Sequence, residues 1–258
     1  MANIRIGVLL EPQLTSYAAY IQAVRQAEAL GVDSLWDWDH FIPPYEPQHR
    51  GSHFEAWTLL AAMAALTRRA EIGCLVSCNG YRNPALLATM AKTVDHVSGG
   101  RLILGIGAGW FEREFHEYGY PYGTARQRLE ALETALTLIK LRWQVEQPPP
   151  VRGRIPILVG GEGERITLRL AAQHADIWNG FGPPERYRRK CAILERWCEQ
   201  VGRDPTEIER SVLTTDDSPA TFDRLVQAGA RHIILQWRYP WEACPIEQLV
   251  RWREALHH

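Results

Sequence analysis

The stretch Gly160-Gly161-Glu162-Gly163-Glu164 carries three glycines within four residues, just before a segment that reads as helix. Glycine lets a backbone approach a ligand closely, and a helix N-terminus offers unpaired N–H groups and a positive dipole. That combination suits a phosphate. The same glycines also suit a tight strand-to-helix turn, and the residues alone leave both readings standing. Glu162 and Glu164 must point outward or cap the helix, because inward carboxylates would repel an anion.

A second chemical candidate is Asp37-Trp38-Asp39-His40-Phe41. A histidine there can exchange a proton with a ring nitrogen or a substrate oxygen near neutral pH, or it can serve packing. Asp37, Asp39 and His40 could also ligate a metal. Strand alternation sends neighbouring side chains in different directions, however, and no second histidine cluster completes a set, so no metal is expected. Gly105-Ile-Gly-Ala-Gly109 resembles a dinucleotide fingerprint only superficially, for no glycine stands at the required third position and no early acidic partner follows the first βα unit. Gly107, Ala108 and Gly109 better suit clearance for a flat ring system, or relief of crowding between strands. Of ten tryptophans, Trp36, Trp38, Trp110 and Trp178 fall at or near strand ends, where they could wall an aromatic pocket or simply pack. Cys74 and Cys78 would sit about 13 Å apart on an extended strand at roughly 3.3 Å per residue, too far for one disulfide or one metal. They read as buried thiols.

These candidates all fall after apolar runs, and the runs recur. Ile4–Leu10, Ser34–Trp38, Glu71–Ser77, Leu102–Ile106, Ile155–Val159, Ala175–Trp178, Ile208–Leu213 and His232–Leu235 read as strands. Between them lie amphipathic segments. One presents Tyr17, Tyr20, Val24 and Ala27 on a face; another presents Leu129, Leu132, Leu136, Ile139 and Trp143. Further helices are expected over Phe54–Leu66, Pro84–Val97, from about Glu164, over Tyr187–Val201 and Ala220–Gln227, and over Ile246–Leu256. Alternating strands and helices imply a parallel sheet, and eight repeats can close it. The expected fold is α/β, one (β/α)8 TIM barrel over residues 1–258, with a doubly wound open sheet as the alternative. In such a barrel the working residues lie after the C-terminal ends of the strands, which is where the candidates fall.

At 258 residues, 46% hydrophobic and 23% charged, the chain has enough core for one such barrel. A net charge of −1 gives no general attraction to nucleic acid or an acidic membrane. Five irregularly spaced cysteines argue against a secreted disulfide framework. No signal peptide and no membrane-length apolar run is evident, so a cytoplasmic location is expected.

Several motifs resemble the luciferase-like monooxygenases and their deazaflavin-dependent relatives: Ser34-Leu-Trp-Asp-Trp-Asp-His-Phe41, Tyr81-Arg-Asn-Pro-Ala-Leu-Leu87, and, most specifically, Ser98-Gly-Gly-Arg-Leu-Ile-Leu-Gly-Ile-Gly-Ala-Gly-Trp-Phe-Glu112. Glu114 and Tyr118-Gly119 extend the last one; Pro156-Ile-Leu-Val-Gly-Gly161 and Ala175-Asp-Ile-Trp-Asn179 continue the resemblance, which weakens beyond about residue 215. It implies a hydride-transferring oxidoreductase that uses the deazaflavin coenzyme F420 and a small organic substrate. An FMN-dependent monooxygenase is the alternative, and a non-catalytic cofactor- or partner-binding barrel the second. The coenzyme ring would stack on a bulge at Leu75, Val76 and Ser77, where members often have a cis peptide that maps to Leu75–Val76. Asp39 and His40 would face ring and substrate, and Gly160 to Gly163 would meet the phosphate. His40 is the expected catalytic residue. The expected cofactor-binding set is Asp39, Leu75, Val76, Ser77, Asn79, Gly107, Ala108, Gly109, Gly160, Gly161, Glu162 and Gly163. Relatives often form homodimers. The sequence departs from the family pattern in short connections at 143–155 and 214–222. It also has Trp110 where some deazaflavin enzymes carry a catalytic glutamate.

Overall fold

A computed structural model describes residues 4–45, 51–241 and 244–256; residues 1–3 and 257–258, at the ends of the expected domain, lie outside the described residues. The strands are β1 (Arg5–Leu10), β2 (Ser34–Asp37), β3 (Glu71–Cys74), β4 (Ser77–Cys78), β5 (Leu102–Gly107), β6 (Ile157–Gly160), β7 (Ile177–Phe181), β8 (Glu209–Thr214) and β9 (His232–Trp237). The helices are α1 (Tyr17–Ala29), α2 (Ala56–Leu66), α3 (Pro84–Ser98), α4 (Glu112–Glu117), α5 (Ala125–Val145), α6 (Thr167–His174), α7 (Pro184–Val201), α8 (Pro219–Gln227) and α9 (Ile246–Ala255). All strand pairs are parallel, and they run β3-β2-β1-β9-β8-β7-β6-β5-β4, with β3 also pairing β5. That last pairing closes the barrel. β3 and β4 are two halves of one stave, so the count of staves is eight and the fold is the expected (β/α)8 barrel.

The third stave is not the continuous strand expected over Glu71–Ser77. It stops at Cys74 and resumes at Ser77, with a cis Leu75–Val76 peptide between. The extended-strand spacing of Cys74 and Cys78 therefore does not apply, although both are free, buried thiols. Elsewhere β6 begins two residues later than expected, α6 begins at Thr167 instead of near Glu164, and α4 is an additional short helix.

Period-two alternation sorts the strand side chains. Val8, Leu10 and Leu35 face the helices, while Leu9, Trp36, Ile103, Leu158, Ile177 and Ile234 fill the barrel interior. This interior plug separates two polar ends. At the N-terminal end, His232 is fully buried, with Nε2 2.8 Å from Ser34 Oγ and Nδ1 2.9 Å from Glu209 Oε1. Trp36 Nε1 donates to Ser34 Oγ at 2.7 Å, and Arg5 joins Glu209 to Glu71. Gly7 makes room: a Cβ there would lie 2.2 Å from Ser34 Oγ. No helix of the described residues is long and apolar enough to cross a membrane.

Candidate active site

The C-terminal end of the barrel holds a cavity of about 420 Å³, within the usual range for small-molecule sites. The broken third stave forms one wall with Leu75, Val76, Ser77 and Cys78; the β5 turn supplies Gly107, Ala108 and Gly109; the β6 end supplies Gly160 and Gly161. Asp39 and His40 enter from the β2 end, Trp110 and Phe111 from the segment before α4. Of the four strand-end tryptophans, Trp38 and Trp110 line this cavity. Trp36 belongs to the interior plug. Trp178 stacks on Tyr187 and donates its indole N–H to the Gly161 carbonyl at 2.9 Å, bracing the glycine loop from outside.

Asp37, Asp39 and His40 send their side chains to three different places. Asp37 is buried beside Tyr20 and Cys74, and burial pushes its carboxyl well above the ordinary range. Asp39 is clamped by Arg82 through two nitrogens, at 2.5 and 2.9 Å, and accepts from the Cys78 N–H at 2.9 Å. Its carboxylate is therefore spent on tying the β2 end to the third stave. Arg82 continues to Glu55, the N-cap of α2.

His40 is different. Its Nδ1 lies 2.8 Å from Glu114 Oε2, and among the described residues its Nε2 has no hydrogen-bond partner. The ring sits edge-on to Trp38, Trp110 and Phe111, at centroid separations of 5.4, 5.7 and 5.8 Å. Glu114, on α4, is wholly buried. It accepts from Tyr81 Oη at 2.6 Å, from Phe41 N–H at 2.6 Å and from Ile42 N–H at 3.1 Å. Burial alone would raise the Glu114 carboxyl, but His40, Tyr81 and the backbone donors outweigh it and hold the group below the usual range. Tyr81 is pushed far up by burial and by donating to Glu114, so it remains a donor. Cys78 is pushed up to about 12, chiefly by burial and then by Asp39, which leaves it no nucleophile near neutral pH. His53 accepts from Trp38 Nε1 at 3.2 Å; burial, followed by the nearby His40, lowers it to about 4, so it is neutral.

The structure brings His40, Asp39, Leu75, Val76, Ser77, Gly107, Ala108, Gly109, Gly160 and Gly161 to one cavity, and it does not bring Asn79, Glu162 or Gly163 to its lining. Asn79 is buried nearby, with Oδ1 unpartnered among the described residues. Glu162 turns away to Arg186 and accepts from Phe181 N–H at 3.0 Å. Glu164 pairs with Lys190 at 2.9 Å and Arg189 at 2.8 Å. The two acids that would repel an anion are thus neutralised by α7. Thr167, the first residue of α6, takes the lining place next to Gly161. Sequence reasoning missed Glu114 as the partner of His40 and Tyr81 as the donor that holds Glu114. Both stand inside the quoted motifs, but neither position shows a period or spacing that ties it to residue 40.

A closed parallel barrel with a ligand-sized cavity at its C-terminal mouth defines the class, a TIM-barrel protein with a small-molecule site. The chain belongs to the luciferase-like monooxygenase family, whose sequence pattern matches residues 2–240. A phthiodiolone/phenolphthiodiolone dimycocerosates ketoreductase of Mycobacterium tuberculosis is 30% identical over 254 residues, covering 81% of this chain. The chain spans 64% of the length of that relative. Among solved structures, an F420-dependent secondary alcohol dehydrogenase in complex with an F420–acetone adduct matches with a TM-score of 0.85 and 16% identity, covering 96% of this chain and 98% of the other. A monooxygenase from Streptomyces bottropensis matches at 0.71 and 19%, covering 99% of each chain. At these identities the two structures share the fold.

Proposed function

We propose that this chain is an F420-dependent oxidoreductase that moves a hydride between the deazaflavin and a small organic carbonyl or alcohol, acting as one barrel domain. The observation that carries the reading is the free Nε2 edge of His40, oriented by Glu114, on the wall of a cavity sized for a small molecule. A hydride arriving at or leaving a carbonyl carbon must be matched by a proton at the oxygen. A histidine with one nitrogen on a buried carboxylate and the other facing the cavity is suited to that task. The ketoreductase relative and the alcohol dehydrogenase fold neighbour act on that kind of group by their names.

The cavity suits a flat ring on its own terms. Leu75 and Val76 offer an apolar platform, and Gly107 and Gly160 make room for it, since a Cβ at either would lie 2.8 or 2.7 Å from a Val76 methyl. Gly160, Gly161 and Thr167 would hold the coenzyme's phosphate at the start of α6. When bound, F420 supplies a two-electron hydride donor or acceptor. The chain's own residues hold and move the proton: His40 Nε2 at the substrate oxygen, with Glu114 stabilising the imidazolium whenever it forms. Tyr81 and the two backbone N–H groups fix Glu114, so that the imidazole is fixed in turn.

Absorbance and fluorescence titration with F420 and with FMN tests the cofactor, and turnover on a panel of ketones and secondary alcohols tests the reaction. Tight F420 binding with hydride exchange is expected. Preferential FMN binding with oxygen consumption would move the assignment to a flavin monooxygenase. Tight binding with no turnover on a broad panel would favour a non-catalytic barrel.

A further inference from the structure

A second pocket, of about 360 Å³, lies on the outer wall between α5 and α6 and shares no lining residue with the barrel-mouth cavity. Its charges do not cancel. Three permanent cations, Lys140, Arg154 and Arg203, face it against two carboxylates, Asp176 and Glu207. Both carboxylates are already spent. Asp176 accepts from Arg154 Nη1 at 2.8 Å and from Ile157 N–H at 2.9 Å, and Glu207 accepts from Arg203 Nε at 3.1 Å.

Lys140 is the surplus. Its ammonium donates to a neutral acceptor, the His174 carbonyl, at 2.9 Å, and it has no salt-bridge partner among the described residues. Two of its three N–H bonds remain. Arg203 gives Nη1 to the Ala172 carbonyl at 3.1 Å, and among the described residues its Nη2 has no hydrogen-bond partner. The His174 ring lines the same pocket and makes no hydrogen bond among the described residues. Burial, with repulsion from Arg203 and Arg154 set against the pull of Asp176, holds Lys140 below its ordinary value. His174 is lowered by burial and then by Lys140, with Arg169 and Arg203 adding to the effect and Glu133 opposing it. Glu133 itself is taken by Arg169. Trp143, Ile155 and Ile157 supply an apolar floor.

We propose that this pocket binds a phosphoryl anion, either free phosphate or a phosphate monoester. The donors, an ammonium on α5, an imidazole on α6 and a guanidinium beyond α7, line one pocket from three separate elements. Such a set suits the diverging oxygens of a tetrahedral oxyanion better than a planar carboxylate, which favours a single guanidinium fork. The site's excess positive charge is what the anion would neutralise.

The test is a titration of 15N-tryptophan-labelled protein followed at the Trp143 indole signal, assigned with Trp143→Phe. Inorganic phosphate and phenyl phosphate are added separately at constant ionic strength, with chloride as control. A saturable Trp143 shift with phosphate and none with chloride is expected. Lys140→Met should weaken it about tenfold, the scale of one charged hydrogen bond, and His174→Gln should weaken it by less. Tighter binding of phenyl phosphate would identify a monoester site using the apolar floor; equal binding would identify a free-phosphate site. A Trp143 signal that does not saturate, equal affinity in Lys140→Met, or shifts confined to Trp110 at the barrel mouth would each overturn the proposal. If Lys140→Met fails to fold, the parent titration and His174→Gln decide it.

Discussion

Two histidine–glutamate pairs stand at opposite ends of this barrel, with nearly the same contact length and different surroundings. At the N-terminal end His232 has both ring nitrogens engaged, one by Glu209 and one by Ser34, and it lies in the closed interior. At the C-terminal end His40 lines a cavity, with one nitrogen on Glu114 and, among the described residues, no partner for the other. A serine, histidine and glutamate in a chain of hydrogen bonds would attract attention on residue type alone. The lower set has no room for a reactant, because Ser34 Oγ already accepts from Trp36 and Gly7 packs against it. The unspent valence and the space beside it separate a reactive histidine from a structural one.

The largest expected effect lies at the upper pair. Glu114→Gln can keep one oxygen on the Phe41 and Ile42 N–H groups, but an amide nitrogen would replace the oxygen that holds Tyr81 Oη and His40 Nδ1, and His40 would be free to turn. Turnover is predicted to fall about 100-fold or more, the scale of lost general acid–base catalysis. Stability should drop by about 3 kcal/mol, as when one partner of a buried charged set is removed. Steady-state kinetics and thermal melts on the same preparation check both; an active, stable variant would show that the pair is not coupled.

The lower pair should behave in the opposite way. Glu209→Gln is predicted to lower stability by about 1–3 kcal/mol while leaving turnover unchanged. Burial would raise the Glu209 carboxyl, but His232 and then Arg5 hold it at about 2, below its ordinary 4.5. A depressed carboxyl contributes stability that is complete above the ordinary value and is lost as pH falls towards about 2. His53, beside the upper pair, is lowered to about 4 and stays neutral in the folded chain. Unfolded histidine takes its proton near 6.5, so His53 costs stability as pH falls from there to about 4. Chemical denaturation across pH should therefore show two acid windows. Glu209→Gln removes the lower one and His53→Gln the upper one. A profile unchanged by either variant would contradict the assignment.

A smaller effect tests the glycine loop. Gly161 has a φ of 122°, a region that side-chain-bearing residues rarely adopt, and a Cβ there would lie 3.2 Å from Thr167 Cγ2. Gly161→Val would thus lose stability and affinity together and decide little. Thr167→Val exchanges the hydroxyl for a methyl group and keeps the side chain's shape. It is predicted to weaken cofactor binding about fivefold, one neutral hydrogen bond, with little change in melting temperature. Unchanged affinity would mean that the hydroxyl makes no contact with the phosphate.

The barrel was legible because its signals are local and periodic: apolar runs for the staves and three-four spacing in α5. The pocket walls were legible for the same reason, since the strand-end rule turns a stave count into a list of loops. What the sequence hid was pairing across distance. Glu114 lies 74 positions from His40 and Arg82 lies 43 from Asp39, and nothing in either segment marks its partner. Asp39 shows the cost of that blindness. It stands in the expected motif and at the expected place, yet its carboxylate is consumed by Arg82 and is no free ligand. Glu162 likewise follows the glycines in sequence but turns to α7, because Arg186 is there to receive it.

The most direct test of the account is a single-turnover experiment on His40→Ala with F420 already bound. Parent and variant are mixed with the best ketone or alcohol found in the panel, and the coenzyme's absorbance reports the hydride step while quenching reports binding. Cofactor affinity is predicted to stay unchanged while the hydride step slows about 100-fold or more; the melting temperature falls, because buried Glu114 loses one partner. A variant that transfers hydride as fast as the parent would contradict the role given to His40.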